Sequence, residues 1–210
     1  MRLAAVLVGA GLWIATGTAG VPRPQFSAEV SPVRSADLRY SYRTGCPVGP
    51  AQLRTVRLSY WGFDDRAHVG SLVVNGRVTR DVVAVFRRLY AARFPIRRMV
   101  LVSVYRGSDD ASMAADNTSA FNCRPVEGTS RWSMHAYGLA IDVNPVENPY
   151  VSGGRVSPPA GRRYLDRTRS RPGMAVEAGV LVEAFAAVGW KWGGHWRSPL
   201  DYQHFSTNGR

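Results

Sequence analysis

The chain has 210 residues, 45% hydrophobic and 20% charged, the balance of an ordinary globular protein able to bury one good core. Its net charge of +12 is almost wholly arginine, Lys191 being the only lysine among 27 basic residues, and such a balance implies polyanionic surroundings: nucleic acid, an anionic cell wall or a membrane surface. The arginines are scattered, with only short pairs such as Arg87-Arg88, Arg97-Arg98 and Arg162-Arg163, and neither a basic helix nor an aromatic ribonucleoprotein-type motif occurs. This argues against specific nucleic-acid binding and leaves loose attraction to an anionic matrix.

Met1-Arg2 opens the chain, followed by an apolar run from Leu3 to Ala15 that is short for a bilayer, then by the small residues Thr16-Gly17-Thr18-Ala19-Gly20. That order is the pattern of a signal peptide over residues 1–20, with an uncleaved N-terminal anchor as the alternative. Residues 21–36 carry Pro22, Pro24 and Pro32 among serines and read as a flexible lead-in.

From residue 37 onward one domain is expected, with α+β composition. Thr55 to Trp61 alternates as a strand, and Ser71 to Val74 runs into Asn75-Gly76, a tight-turn signal. Thr79 is placed to cap a helix through Phe94, with Val82, Val85, Phe86 and Leu89 on one face and Pro95 as its stop. Met99 to Tyr105 reads as an apolar central strand. Ala175 to Val188 reads as a second helix closed by Gly189, and Trp190–Trp192 and Gln203–Ser206 as closing strands. There is no internal repeat.

Only two cysteines occur, Cys46 and Cys123. In an exported chain an even pair is most simply a disulfide; two free thiols or metal ligation are the alternatives, the latter without any Cys-x-x-Cys spacing.

The chemistry concentrates in Ser133-Met134-His135-Ala136-Tyr137-Gly138-Leu139-Ala140-Ile141-Asp142 and in Asp201-Tyr202-Gln203-His204. Two histidines and a carboxylate from distant parts of a chain suit a catalytic Zn²⁺, which takes imidazole nitrogen and carboxylate oxygen and leaves one position open. Gly138 allows a turn between His135 and the short apolar strand that delivers Asp142. Asp201 and His204 are three apart, so one can hold the metal while the other faces its water. Trp132, Trp190, Trp192 and Trp196 stand close to both clusters, as core or as cleft wall.

Ser133-x-His135-x-x-Gly138-x-Ala140-x-Asp142 resembles the first motif of the zinc D-alanyl-D-alanine carboxypeptidase family, and Asp201-x-x-His204 resembles its second. The likeness covers roughly residues 101–206 and looks closest to the L-alanyl-D-glutamate endopeptidase branch. It implies an antiparallel sheet with flanking helices and a zinc site like that of hedgehog signalling domains and D,D-peptidases. It also implies one Zn²⁺ held by His135, Asp142 and His204, with Asp201 as the catalytic acidic residue where many members carry Glu. Arg106 or Arg124 is then the second positive group for the oxyanion, and Ser133, Trp196 and Tyr202 are substrate-side residues.

The function so implied is a secreted, extracytoplasmic metallopeptidase acting on peptidoglycan peptides, either as a D,D-carboxypeptidase or as an endopeptidase. Anionic cell-wall polymers would be held by charge, and no stable protein partner is implied. The alternative is a non-catalytic, zinc-containing wall-binding domain on the same scaffold, which would have no need of Asp201. His195 in its glycine-rich turn is expected at the cleft rim, outside the ligand set. His68 is read as structural, and Asp109-Asp110 as solvated charge, a metal-supporting pair or a cation site. Asn144-Pro145 and Asn148-Pro149 read as turns, and the run Val146 to Arg171 as the border of the substrate groove.

Overall fold

A computed structural model describes residues 24–210; the expected signal peptide lies outside the described residues. The scaffold begins with a hairpin of two nine-residue strands, β2 (Leu53–Trp61) and β3 (Ala67–Asn75), which pair antiparallel from Leu53↔Asn75 to Trp61↔Ala67. Along β2 the buried positions include Leu53, Val56, Leu58 and Trp61. Helix α2 (Thr79–Ala91) lays Val82, Val85, Phe86 and Leu89 onto the face that carries Val56 and Leu58, the i, i+3, i+4, i+7 stripe its sequence carries. Helix α4 (Val180–Ala186) packs beside α2, and Phe185 stacks on Phe205 with ring centroids 4.2 Å apart.

Two further antiparallel sheets of short strands complete the described chain, so the architecture is α+β with three small sheets in place of the one expected. The first joins β4 (Ala140–Asp142), β9 (His204–Ser206) and β7 (Lys191–Trp192) in the order β4-β9-β7. The second joins β5 (Tyr150–Ser152), β6 (Arg155–Ser157) and β8 (Leu200–Asp201) in the order β6-β5-β8. A smaller core of Leu38, Leu53, Val73, Phe121 and Cys123 sits under the Cys46–Cys123 disulfide, which is formed.

Several local expectations are corrected. Within the supposed flexible lead-in 21–36, β1 (Ala28–Pro32) pairs with β2 from Ala28↔Leu58 to Pro32↔Arg54. It is an edge strand, exposed at nearly every position, so no apolar alternation announces it, and Pro32 is tolerated there. A short helix, α1 (Ser35–Leu38), follows. Met99 to Tyr105 is not a strand: Val102–Tyr105 forms a 3₁₀ turn ending at Arg106 with φ +56°. The Asn117 carboxamide bonds both the Val100 N–H (2.9 Å) and the Val100 carbonyl (3.0 Å), doing for that backbone what a neighbouring strand would do.

Asn75-Gly76 does make a tight turn, a 3₁₀ segment, Gly76–Val78, that Asn75 caps by accepting the Arg77 N–H, while the β2–β3 hairpin turns at residues 62–66. Thr79 is not the cap of α2. Val78 occupies that place, and the Thr79 hydroxyl donates to the Gly76 carbonyl. Helix α2 stops at Ala91, three residues early, where Arg93 turns left-handed and Phe94 N–H returns to the Leu89 carbonyl. Helix α4 begins only at Val180, after Ala178 at φ +54° and Gly179 as its cap.

Candidate metal centre and active-site cleft

His135, Asp142 and His204 come together from a 3₁₀ turn (Met134–Tyr137), the end of β4 and the start of β9. The Asp142↔His204 register of the β4–β9 pair places two of them face to face. Gly138 closes the turn at φ +66°, and a Cβ there would stand 2.6 Å from the Asn75 nitrogen, so only glycine fits. Ser133 Oγ accepts the His135 N–H at 3.2 Å and so caps the turn. His135 Nε2, His204 Nδ1 and the Asp142 carboxylate oxygens stand 3.1–3.2 Å from one another, and all three residues are buried. Donors on a tetrahedral ion with bonds of ~2.0–2.1 Å stand roughly 3.3 Å apart, so the set fits one Zn²⁺.

Both rings are held from behind. His135 Nδ1–H donates to the Ala120 carbonyl at 2.6 Å, and His204 Nε2–H donates to the Arg210 carbonyl at 3.1 Å. Each bond assigns the proton to the far nitrogen and leaves the near one free to ligate. Burial raises the Asp142 carboxyl, but His135 and His204 outweigh it and hold that carboxyl far below the usual range. Burial lowers the His204 imidazole, yet its bonds to Asp142 leave it raised overall.

These residues form the floor of a cleft of ≈ 390 Å³. Asp201 faces into it from the end of β8. By area the residue is only half-buried, but its Oδ1 is enclosed and has no hydrogen-bond partner. Burial first, then the Asp142 charge, push its carboxyl up to about 7. The close approach around it is tight, since a Cβ on Gly193 would lie 2.6 Å from the Asp201 carbonyl oxygen.

The other residues read from sequence divide. Arg124 lines the cleft, and its Nη2 is bonded to Asp109 Oδ2 at 2.6 Å; the Asp109, Asp142 and Asp201 charges keep its guanidinium raised in spite of burial. Arg106 is exposed, stacks over Tyr40 and does not line the cleft. Ser133 and Trp196 line the cleft; the Trp196 indole N–H donates to the Gly209 carbonyl and its ring tilts against His204. Tyr202 does not: Asp201 and Gln203 point into the cleft, and between them Tyr202 turns the other way, under the Arg167 guanidinium.

His195 is exposed, pairs with Glu177 at 2.8 Å and is not a cleft residue, while His68 pairs with Asp64 at 2.9 Å. Of the run Val146 to Arg171, Tyr150, Arg155 and Ser157 border the cleft. Asn144 and Asn148 are more than turn formers. Both are buried and both donate to the Gly173 carbonyl, tying the chain after β4 to the segment that leads into α4. Met113, Glu127, Pro199 and Gln203 also line the cleft and were not singled out from sequence.

Among known families, the model described as D-alanyl-D-alanine carboxypeptidase matches residues 127–207. That segment holds His135, Asp142, Asp201 and His204, so the resemblance read from the two motifs is borne out there. No curated protein matches the chain, and no solved structure does.

Proposed function

We propose, with that family match as premise, that the chain is an exported zinc metallopeptidase that hydrolyses peptidoglycan stem peptides at a bond next to a D-amino acid. One observation carries the reading: two imidazole nitrogens 3.2 Å apart, each 3.1–3.2 Å from an oxygen of the Asp142 carboxylate, share a cleft floor with an enclosed carboxylate oxygen that has no partner. His135, Asp142 and His204 hold the ion, which when bound supplies Lewis acidity to a carbonyl and eases proton loss from water. Asp201 then accepts the proton of the attacking water and returns it to the leaving amine. Its raised affinity for protons suits both halves of that task, and the ion's charge draws the carboxyl back toward ionisation.

Arg124, held by Asp109, is the second positive group for the oxyanion. Placement favours it over Arg106, which lies outside the cleft. Ser133 keeps the ligand turn in shape, and Trp196 walls the site against His204. The disulfide supports an oxidising, extracytoplasmic location, and no described helix is long and apolar enough to cross a membrane. The +12 charge would keep the enzyme near anionic wall polymers.

The test is digestion of purified peptidoglycan and of an L-Ala-D-Glu-diamino acid-D-Ala-D-Ala peptide, with and without a zinc chelator, read by mass. Chelator-sensitive loss of one terminal alanine establishes a D,D-carboxypeptidase, and a cut after L-Ala establishes the endopeptidase. Failure of zinc-loaded protein to cut either substrate would point to a binding domain.

A further inference from the structure

We infer that Ser206 is a positioning residue for the candidate metal centre, folding residues 206–210 into a clasp that fixes His204 and so governs how tightly zinc is kept. This rests on the zinc-site reading above, in which His204 is a ligand. His204 and Ser206 are two apart on β9 and stand on one face of the sheet, while Phe205 between them turns to the core and stacks on Phe185. Ser206 is fully buried, and its Oγ accepts the N–H groups of both Gly209 (3.1 Å) and Arg210 (3.0 Å). A serine hydroxyl bonded to main-chain N–H groups a few residues on bends the chain back upon itself. Gly209 permits the bend at φ +79°, and a Cβ there would meet the Lys191 Cβ at 3.0 Å.

The bend offers two successive carbonyls to two rings. That of Gly209 takes the Trp196 indole N–H at 2.8 Å, and that of Arg210 takes the His204 Nε2–H at 3.1 Å. The rings themselves meet, with centroids 5.4 Å apart. Asn208 joins the clasp twice: its Oδ1 accepts the Arg210 N–H at 3.0 Å, and its Nδ2 reaches Met134 Sδ at 3.3 Å, at the start of the turn that holds His135. Before His204 the chain is anchored by Gln203, whose Nε2 rests on Met113 Sδ in α3 (Asp109–Ala114) at 3.3 Å; after it the clasp is the anchor. An imidazole whose far N–H is held by an acceptor is fixed in tautomer and ring angle, and binds metal more tightly for it. Ser206 acts on the ion only through the Arg210 main chain, so the Arg210 side chain is dispensable.

The test is zinc affinity, by competition with a chromogenic chelator, alongside solvent exchange of the two histidine ring protons, followed by NMR on zinc-loaded protein. Ser206→Ala is expected to weaken zinc binding about tenfold, and Ser206→Ala combined with Asn208→Ala, which removes both acceptors of the Arg210 N–H, about a hundredfold, the span typical of outer-sphere partners. In both variants the His204 Nε2 proton exchanges faster, while the His135 Nδ1 proton, held by the Ala120 carbonyl, keeps its wild-type rate. Ser206→Thr retains the acceptor and the wild-type affinity, and Arg210→Ala changes nothing. Gly209→Val opens the same clasp at its left-handed residue and lowers affinity in the same way, so the claim stays testable if Ser206→Ala does not fold. Unchanged zinc affinity in the double variant or in Gly209→Val overturns the proposal and leaves the zinc site standing. Equal acceleration of both ring protons assigns the loss to general loosening and overturns it too. Failure of the wild type to bind zinc overturns the site reading itself, and the proposal with it.

Discussion

Two clusters of buried ionisable groups flank the segment that follows β4, and they solve the same physical problem in opposite ways. In the cleft, Asp142 stands between His135 and His204, which outweigh its burial and hold its carboxyl well below the usual range. Five residues further on, Glu147 is 1% exposed, faces Asp116, and receives one hydrogen bond from the Tyr164 hydroxyl at 3.2 Å. Arg97 reaches Asp116 only at 3.6 Å and Glu147 at 4.0 Å, and is itself half-exposed. Burial and the Asp116 charge raise the Glu147 carboxyl to about 8, so it keeps its proton at neutral pH. A buried carboxylate without strong partners neutralises itself, whereas one among nitrogen donors can serve as a ligand. The difference separates a candidate metal centre from a structural acid pair.

The largest effect should come from breaking the first cluster. His204→Ala or Asp142→Asn is expected to lower zinc affinity by more than the roughly 10–100-fold typical of outer-sphere partners, and to abolish hydrolysis, as competition with a chromogenic chelator would measure. Next, Arg124→Ala should reduce kcat by about 10²–10³ with little change in zinc content, and Arg124→Lys should recover part of it, since lysine restores the charge but not the fork that Asp109 holds.

The smallest effect belongs to the second cluster and is one of stability. The Glu147 carboxyl ionises near pH 4.5 when unfolded and near 8 when folded, so wild-type stability is present below the first value and is lost as pH rises toward the second. Glu147→Gln lacks that loss. Its Tm relative to wild type should grow steadily between pH 4.5 and pH 8, by about 2–4 °C for each kcal/mol of that loss, and stay level above, by thermal scans across pH. A constant difference would mean that Glu147 is ionised in the fold.

How much of this was legible in the sequence follows from the kind of constraint each part obeys. The candidate metal centre could be read because the chemistry fixes residue types: imidazole and carboxylate ligands, a glycine at the left-handed turn, an acid three residues before the last candidate ligand. Helix α2 could be read because one face of a 3.6-residue period must be apolar. Strand β1 could not, because an edge strand exposed on both faces has no pattern to display. The run from Met99 to Tyr105 misled because its apolar residues buried at Met99 and Val102 look like a strand, while the Val100 backbone is satisfied by a side chain, Asn117, that no local rule announces. The bond from Asp109 to Arg124 is likewise tertiary. Tyr202 lies instead in the bend between β8 and β9, which turns it away from the cleft and under Arg167, a placement that no local rule announces.

The account stands most directly on the separation of Asp201 from the three ligands. Wild type and Asp201→Asn should be loaded with zinc, their metal content measured, and the same samples assayed on one stem peptide. The account predicts one zinc per chain in both and a fall in kcat of about 10²–10⁴ in the variant. Undiminished hydrolysis by Asp201→Asn, or loss of zinc together with activity, would contradict the assignment of Asp201 as the proton-transferring residue.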